Sequence, residues 1–223
     1  NEISFTGSGE LDNGYTYSFF TGMAGQDMAF DSGSFTLDMG DMGAIGVDQA
    51  VGLYGIGSIA LSIPTAYEEA DHAVGVLADG LDVAGDTQVL GYIGTFMDVK
   101  VNIEYNPSLT SPVQQAGGGG AAGTGSNTNW ALTYSGVENL ALMAGMSKTN
   151  YTAAGEAEDT ERTAAIKYTM GAVTVGYQAS KIEDGTAGVA HESVEAYGVA
   201  FNVNDNFSVS VGQNNNTLKG MTD

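Results

Sequence analysis

The densest group of chemically able side chains lies between residues 65 and 86. Glu68, Glu69, Asp71, Asp79, Asp82 and Asp86 follow one another there, with His72 among them. Behind Pro64, Thr65-Ala66-Tyr67-Glu68 has the spacing of a capping box and predicts a short helix through about Ala73. On such a helix Glu68 and Glu69 project about 100° apart, so they do not work as a carboxylate pair on one bond. His72 and His191 have no Ser or Cys partner motif, and the chain has no cysteine, so neither hydroxyl nor thiolate nucleophiles have a base. Gly117 to Gly120 is a glycine run without the strand, helix and lysine of a phosphate loop, and reads as a flexible loop tip. Glu156, Glu158, Asp159 and Glu161 make a second acidic group, chemically able to hold Ca²⁺ but not spaced as an EF-hand. No catalytic residue and no cofactor are expected. What remains for these acids is electrostatics.

The balance of charge points the same way. Of 223 residues, 6 are Lys or Arg and 27 are Asp or Glu, a formal net charge of −21. A surface this negative repels phosphate backbones, which excludes nucleic acid as a partner. Mean hydropathy is −0.04 with 43% hydrophobic residues, too apolar for a disordered polyanion. No run of ~18 apolar residues exists to form a membrane helix, and the longest, Ala50 to Ile63, is broken by Gly52, Gly55, Gly57 and Ser58.

The elements that position these groups have a period of two. From Met97 to Tyr105, Met97, Val99, Val101, Ile103 and Tyr105 fall on one face and Asp98, Lys100, Asn102 and Glu104 on the other. About twelve such segments occur, among them Ile3/Phe5, Phe35/Leu37/Met39, Trp130/Leu132/Tyr134, Ala164/Ile166/Tyr168, Val173/Val175/Tyr177, Tyr197/Val199/Phe201/Val203 and Phe207/Val209/Val211. Each is near the ~10 residues of an outer-membrane strand. Short turns at 11–14, 40–43, 94–96, 136–139, 170–172 and 204–206 alternate with long polar connections at roughly 24–33, 49–87, 107–128, 150–161 and 182–192. A soluble β-sandwich also has alternating strands. It has no reason, however, to collect tight turns at one end and loops at the other. The polar face is rich in Gly, Ala, Ser and Thr, as a curved wall around a lumen requires. Tyr15, Tyr17, Tyr105, Trp130, Tyr134, Tyr168, Tyr177 and Phe207 sit near strand ends, where interfacial aromatics belong. The expectation is one all-β domain over residues 1–223, an antiparallel transmembrane β-barrel with short periplasmic turns and long external loops. The alternative is an acidic extracellular β-protein of surface-layer or adhesin type that binds Ca²⁺.

Two stretches are more specific. Phe5-Thr6-Gly7-Ser8-Gly9-Glu10-Leu11-Asp12-Asn13-Gly14 and Gly33-Ser34-Phe35-Thr36-Leu37-Asp38-Met39-Gly40-Asp41 resemble the second-to-fourth-strand region of alphaproteobacterial general porins, and the long connection after Asp48-Gln49-Ala50 begins in a similar place. The resemblance implies a 16-stranded, trimeric channel in the outer membrane of a Gram-negative bacterium, set in lipid and lipopolysaccharide and open to small polar solutes and ions. It also implies that residues 49–87 fold into the barrel and narrow it. Glu68, Glu69, Asp71, Asp79 and Asp82 would then line the constriction, opposite Lys100 and Lys167, with Arg162 and Lys148, near loop ends, as weaker members of that wall. Such porins place more arginines there than this chain, which has one, so the channel is expected to prefer cations. Both ends of the chain fall at the long-loop end, where intact barrels keep theirs at the tight-turn end. The corresponding expectation is an internal fragment, one strand short at the start and an odd number short at the end, three if the total is 16; the alternative is a barrel of twelve strands closing on itself.

Overall fold

The computed structural model describes residues 2–24, 29–48, 54–60, 62–65, 89–107, 125–152, 157–185, 191–204 and 206–219. Twelve strands follow the chain: β1 (Glu2–Glu10), β2 (Thr16–Ala24), β3 (Ala29–Asp38), β4 (Ala44–Asp48), β5 (Val89–Phe96), β6 (Val99–Asn106), β7 (Gly125–Val137), β8 (Leu140–Tyr151), β9 (Asp159–Met170), β10 (Val173–Glu183), β11 (His191–Asn204) and β12 (Phe207–Lys219). They form one sheet in the order β1 to β12, each strand antiparallel to its sequence neighbours. Such a meander lets the backbone amides between strands satisfy one another, the condition for a strand wall in hydrocarbon. Among the described residues, β1 pairs only with β2 and β12 only with β11.

Burial is reversed relative to a soluble fold. On β6, Asn102, Glu104 and Asn106 are buried, while Ile103 is 43% exposed and Tyr105 44%. The same parity continues across β7 to β11. Asn127, Asn129, Ser147, Thr149, Glu161, Thr163, Gln178 and Ser180 turn inward, and Trp130, Leu132, Leu142, Ile166, Tyr168, Tyr197 and Val199 turn outward. Phe5, Phe19, Phe35, Ile45 and Val47 carry the apolar outer face over β1 to β4. In water this distribution would forfeit about 25 cal/mol for every Å² of apolar surface left wet. In a bilayer it is the stable arrangement. A sandwich would hold Val99, Val101 and Ile103 dry between two layers; here Val99 and Val101 are half-buried and Ile103 is exposed.

The tight turns lie where the Gly, Asn and Asp pairs demand, with one shift. Leu11 N–H donates to the Tyr15 carbonyl and Gly14, at φ 84°, closes the first turn. Asn139 (φ 63°) and Gly171 (φ 58°) take the left-handed position in two others. The turn expected at 94–96 falls instead at Met97 and Asp98, with Met97 at φ 53°, and residues 94–96 stay in β5. At the loop end the strands run further than alternation suggested: β3 begins at Ala29, β7 at Gly125, and β12 reaches Lys219.

Residues 54–60 and 62–65 lie inside. Tyr54 packs on Gly46 of β4 and Gly91 of β5, and Pro64 on Gly176 of β10 and Gly198 of β11. The inner faces of β4, β5, β10 and β11 thus meet one short segment. If the outward face meets hydrocarbon, Leu132→Arg is expected to cost about 2–4 kcal/mol of folding free energy in a bilayer. Urea titration of the folded band on unheated gels checks this, and an equal effect for the inward Thr133→Arg would contradict the assignment.

Candidate functional site: the inner wall and the segment it holds

The inner wall grips residues 54–60 and 62–65 through three side-chain amides, those of Asn129, Gln178 and Asn102. Asn129 Oδ1 accepts from the Ile56 N–H at 2.7 Å, and Gln178 Oε1 accepts from the Ser62 N–H at 2.8 Å. Gln178 Nε2 also donates to the Ala60 carbonyl at 2.6 Å and to Thr163 Oγ1 at 3.0 Å. Asn102 Nδ2 donates to Ser58 Oγ at 2.8 Å, and Thr36 Oγ1 and Tyr54 Oη share a hydrogen bond of 3.4 Å. These contacts replace water for a stretch of backbone that has no strand partner.

A 3-10 turn over Ile56–Ile59 gives the segment its shape, closed by Ser58 N–H to Gly55 O at 3.1 Å and Ala60 N–H to Gly57 O at 3.2 Å. The turn directs Ile56 and Ile59 at Ala131, Met143 and Ala165, with Ala60 and Ala141 packed alongside. This is a small apolar core inside an otherwise polar lumen, and it accounts for the buried Ile56 and Ile59, while Ile63 lies against Gly176 and Gly198. The glycines make the fit. A Cβ at Gly46 or Gly91 would collide with the Tyr54 ring, one at Gly145 would stand 2.8 Å from Ile56, and one at Gly198 would stand 2.8 Å from the Pro64 carbonyl.

Behind the segment runs a buried polar ladder. Asn129 Nδ2 donates to Asn127 Oδ1 at 2.6 Å and to Glu104 Oε1 at 3.1 Å, and Asn127 Nδ2 reaches Ser147 Oγ and Thr149 Oγ1, both at 2.8 Å. Glu104 is 1% exposed. Asn129 thus joins ladder and segment, a role without any signal in the sequence, where it is one more polar residue on an inward position.

The residues expected to do the chemistry are distributed unevenly. Glu68, Glu69, Asp71, Asp79 and Asp82 lie outside the described residues, as does the helix expected after Thr65. Lys100 holds an inward position on β6, level with Thr95 and Thr133. Lys167 holds one on β9, beside Gly176, against which Pro64 packs. Arg162 does not share that face. It alternates with the buried Glu161 and Thr163 and stands outward, 58% exposed, with Glu183 at 3.3 Å. Lys148 is outward too, paired with Glu158 at 2.7 Å. The acidic group at 156–161 is divided by the same parity. Glu161 is buried inward, Glu158 meets Lys148, and Asp159 accepts from Tyr151 Oη at 2.8 Å and from Gly185 N–H at 3.2 Å. Among the described residues no three acids or histidines converge on one point.

The outward margin at the loop end carries amphipathic rings. Tyr177 and Tyr197, 5.2 Å apart between centroids, both donate to Glu195, at 3.1 and 3.3 Å. Apolar rings with wet hydroxyls suit the edge of a membrane.

An antiparallel wall greasy outside and polar inside, with a chain segment docked in its hollow, defines an outer-membrane channel rather than an enzyme. The Gram-negative porin family model matches residues 1–223, and the chain belongs to that family. Its place is the outer membrane of a Gram-negative bacterium. Among solved structures, one porin refined at 1.8 Å superposes with a TM-score of 0.66 at 15% identity, covering 99% of this chain and 77% of that one. An anion-selective porin from Comamonas acidovorans gives 0.61 at 16% identity, covering 98% and 69%. A variant of the Rh. blastica porin gives 0.50 at 16%, covering 96% and 83%. At these identities the likeness is one of fold. No curated protein matches the chain by sequence.

Removing the Asn129 amide leaves the Ile56 N–H buried without an acceptor, a loss of about 1–3 kcal/mol concentrated on the segment. Asn129→Ala is therefore expected to expose residues 54–60 to limited proteolysis in detergent micelles while the strands stay folded. Protection equal to wild type would show that the amide does not hold the segment.

Proposed function

We propose that the protein is a water-filled pore for passive diffusion of small hydrophilic solutes and ions, preferring cations, and that it works as a homotrimer in contact with lipopolysaccharide. The observation that carries the reading is the reversed burial, with a polar hollow partly filled by residues 54–65. No cofactor or energy source enters the scheme. Solutes move down their gradients and the protein supplies only a path through hydrocarbon.

The cation preference rests on charge. Acids in a narrow, partly desolvated path concentrate cations and repel anions, and the chain carries 27 acids against 6 bases. In this reading Glu68, Glu69, Asp71, Asp79 and Asp82 border the narrow section, and Lys100 and Lys167 face them. Arg162 is omitted because of its outward position. The opposed charges set up a transverse field that orders water and favours polar solutes over apolar ones.

The test is a planar bilayer containing the detergent-purified protein. Stepwise conductance and a reversal potential of cation-selective sign in a KCl gradient are expected, together with swelling of proteoliposomes in small sugars. The triple change Glu68→Gln, Glu69→Gln, Asp71→Asn should shift the reversal potential toward zero without abolishing the steps. Absence of steps overturns the pore, whereas an unchanged potential in the triple variant removes those acids from the path.

A further inference from the structure

The outward face changes character along a slanting line. Towards the loop end, the last apolar outward residue is Trp130 on β7, Met146 on β8, Ala164 on β9, Ala179 on β10, Tyr197 on β11 and Val211 on β12. One row of ladder partners runs Trp130, Met146, Arg162, Lys181, Ser193, Thr217. Against that row the line drops six residues, from the level of Thr217 to Val211, over five strand spacings. This is about 20 Å in about 24 Å, a slope of ~40°, which is the tilt of membrane strands. The line is the loop-end edge of the hydrocarbon band, and the Tyr177–Tyr197 ring pair lies on it.

The first outward residue past this edge is a cation on three consecutive strands: Lys148 on β8, Arg162 on β9 and Lys181 on β10. The whole chain has only 6 Lys and Arg. Arg162 and Lys181 are direct ladder partners, and Lys148 faces Thr160, one outward step along β9 from Arg162. The three Cα atoms therefore lie within about 8–10 Å of one another. Directly beneath them, Ala144, Ala164 and Ala179 form one ladder row, a shallow trough between the larger Leu142, Ile166 and Tyr177 and the cations. Glu183 is shared by Arg162 and Lys181, and Glu158 meets Lys148, so two carboxylates accompany three cations. Those side chains stay about half exposed, at 48%, 58% and 45% for Lys148, Arg162 and Lys181. Exposed ion pairs hold weakly, and guanidinium and ammonium keep further donors for another anion. Glu195, the next residue past the edge on β11, accepts from the Tyr177 and Tyr197 hydroxyls.

We infer that Lys148, Arg162 and Lys181 form a site for a phosphate of the lipopolysaccharide headgroup, with its acyl chains lying down the apolar face below the alanine row. The inference rests on the outer-membrane reading and names where on the wall that lipid is held. Long connections of such barrels are external, so the loop-end edge meets the outer leaflet, where the phosphates of the glycolipid lie just above the hydrocarbon. An arginine beside a lysine offers a phosphate several donors at once.

The test is native mass spectrometry of the full chain in detergent, titrated with bisphosphorylated lipid A, with lipid A stripped of its phosphates, and with phosphatidylglycerol. Wild type should bind bisphosphorylated lipid A most tightly. Affinity should fall about fivefold for each of Lys148→Gln, Arg162→Gln and Lys181→Gln. Lys100→Gln, which removes an inward cation, should leave it unchanged. Equal binding of stripped lipid A, equal binding of phosphatidylglycerol, or a triple variant that binds as wild type overturns the inference. So does a triple variant that loses its oligomer on unheated gels while still binding lipid A, because the face then belongs to a second copy. Conductance in lipopolysaccharide-free bilayers reports the pore separately: steps are expected from wild type and triple variant alike, and their absence in wild type overturns the pore without touching the lipid result.

Discussion

A strand lying in hydrocarbon has no solvent to accept its amides, and of its two faces only the apolar one can touch lipid. Among the described residues the first constraint is met on both edges of β2 to β11, each paired with its two sequence neighbours, and on one edge of β1 and of β12. The second reverses the usual distribution, so Ile103 and Leu132 face outward while Glu104, Asn129 and Gln178 are buried. Ordinary core packing then cannot stabilise the interior. Hydrogen bonding must do more of the work, as the ladder from Glu104 through Asn129 and Asn127 to Ser147 and Thr149 illustrates.

The internal segment meets the converse problem. It is apolar, yet it lies in a polar hollow. Two devices reconcile these. Ile56 and Ile59 find Ala131, Met143 and Ala165, the patch where the inner wall is apolar. The backbone between them, which cannot join the strand ladder, borrows side-chain amides from β7 and β10. Glycines on β4, β5, β8, β10 and β11 let the segment lie close enough for both. The high glycine content, 33 of 223, is in part a record of that close approach.

Strand existence and facing were legible because hydrocarbon imposes a strict period of two, which Val99 to Tyr105 and Val173 to Tyr177 display plainly. Legibility ended where the hydrocarbon ends. The loop-end portion of β7, Asn127-Thr128, is polar on both faces and reads as loop, and Gln213 to Thr217 of β12 shows no apolar alternation, although both ladders continue. Arg162 was misplaced for a related reason. Its neighbours Glu161 and Thr163 are polar too, so nothing local reveals parity, and only counting from Ile166 along an unbroken strand puts it outside. Asn129 and Gln178 were invisible as anchors because their partners, Ile56 and Ser62, are backbone groups 73 and 116 residues away.

In a meander, order along the chain is also order around the wall. A bias of charge in sequence therefore becomes a bias of charge in angle, with no further folding device needed. The absence of lysine and arginine before Lys100 leaves β1 to β5 as one arc without cations. Of the later cations, parity sends Lys100 and Lys167 inward and Lys148, Arg162 and Lys181 outward, where Glu158 and Glu183 meet them. Among the described side chains the inward cations are Lys100 on β6 and Lys167 on β9, and the docked segment packs beside the second of them, against Gly176. A net charge of −21 spread evenly would act mainly on solubility and association. Sorted by strand order and parity, it becomes a field with a direction across the hollow.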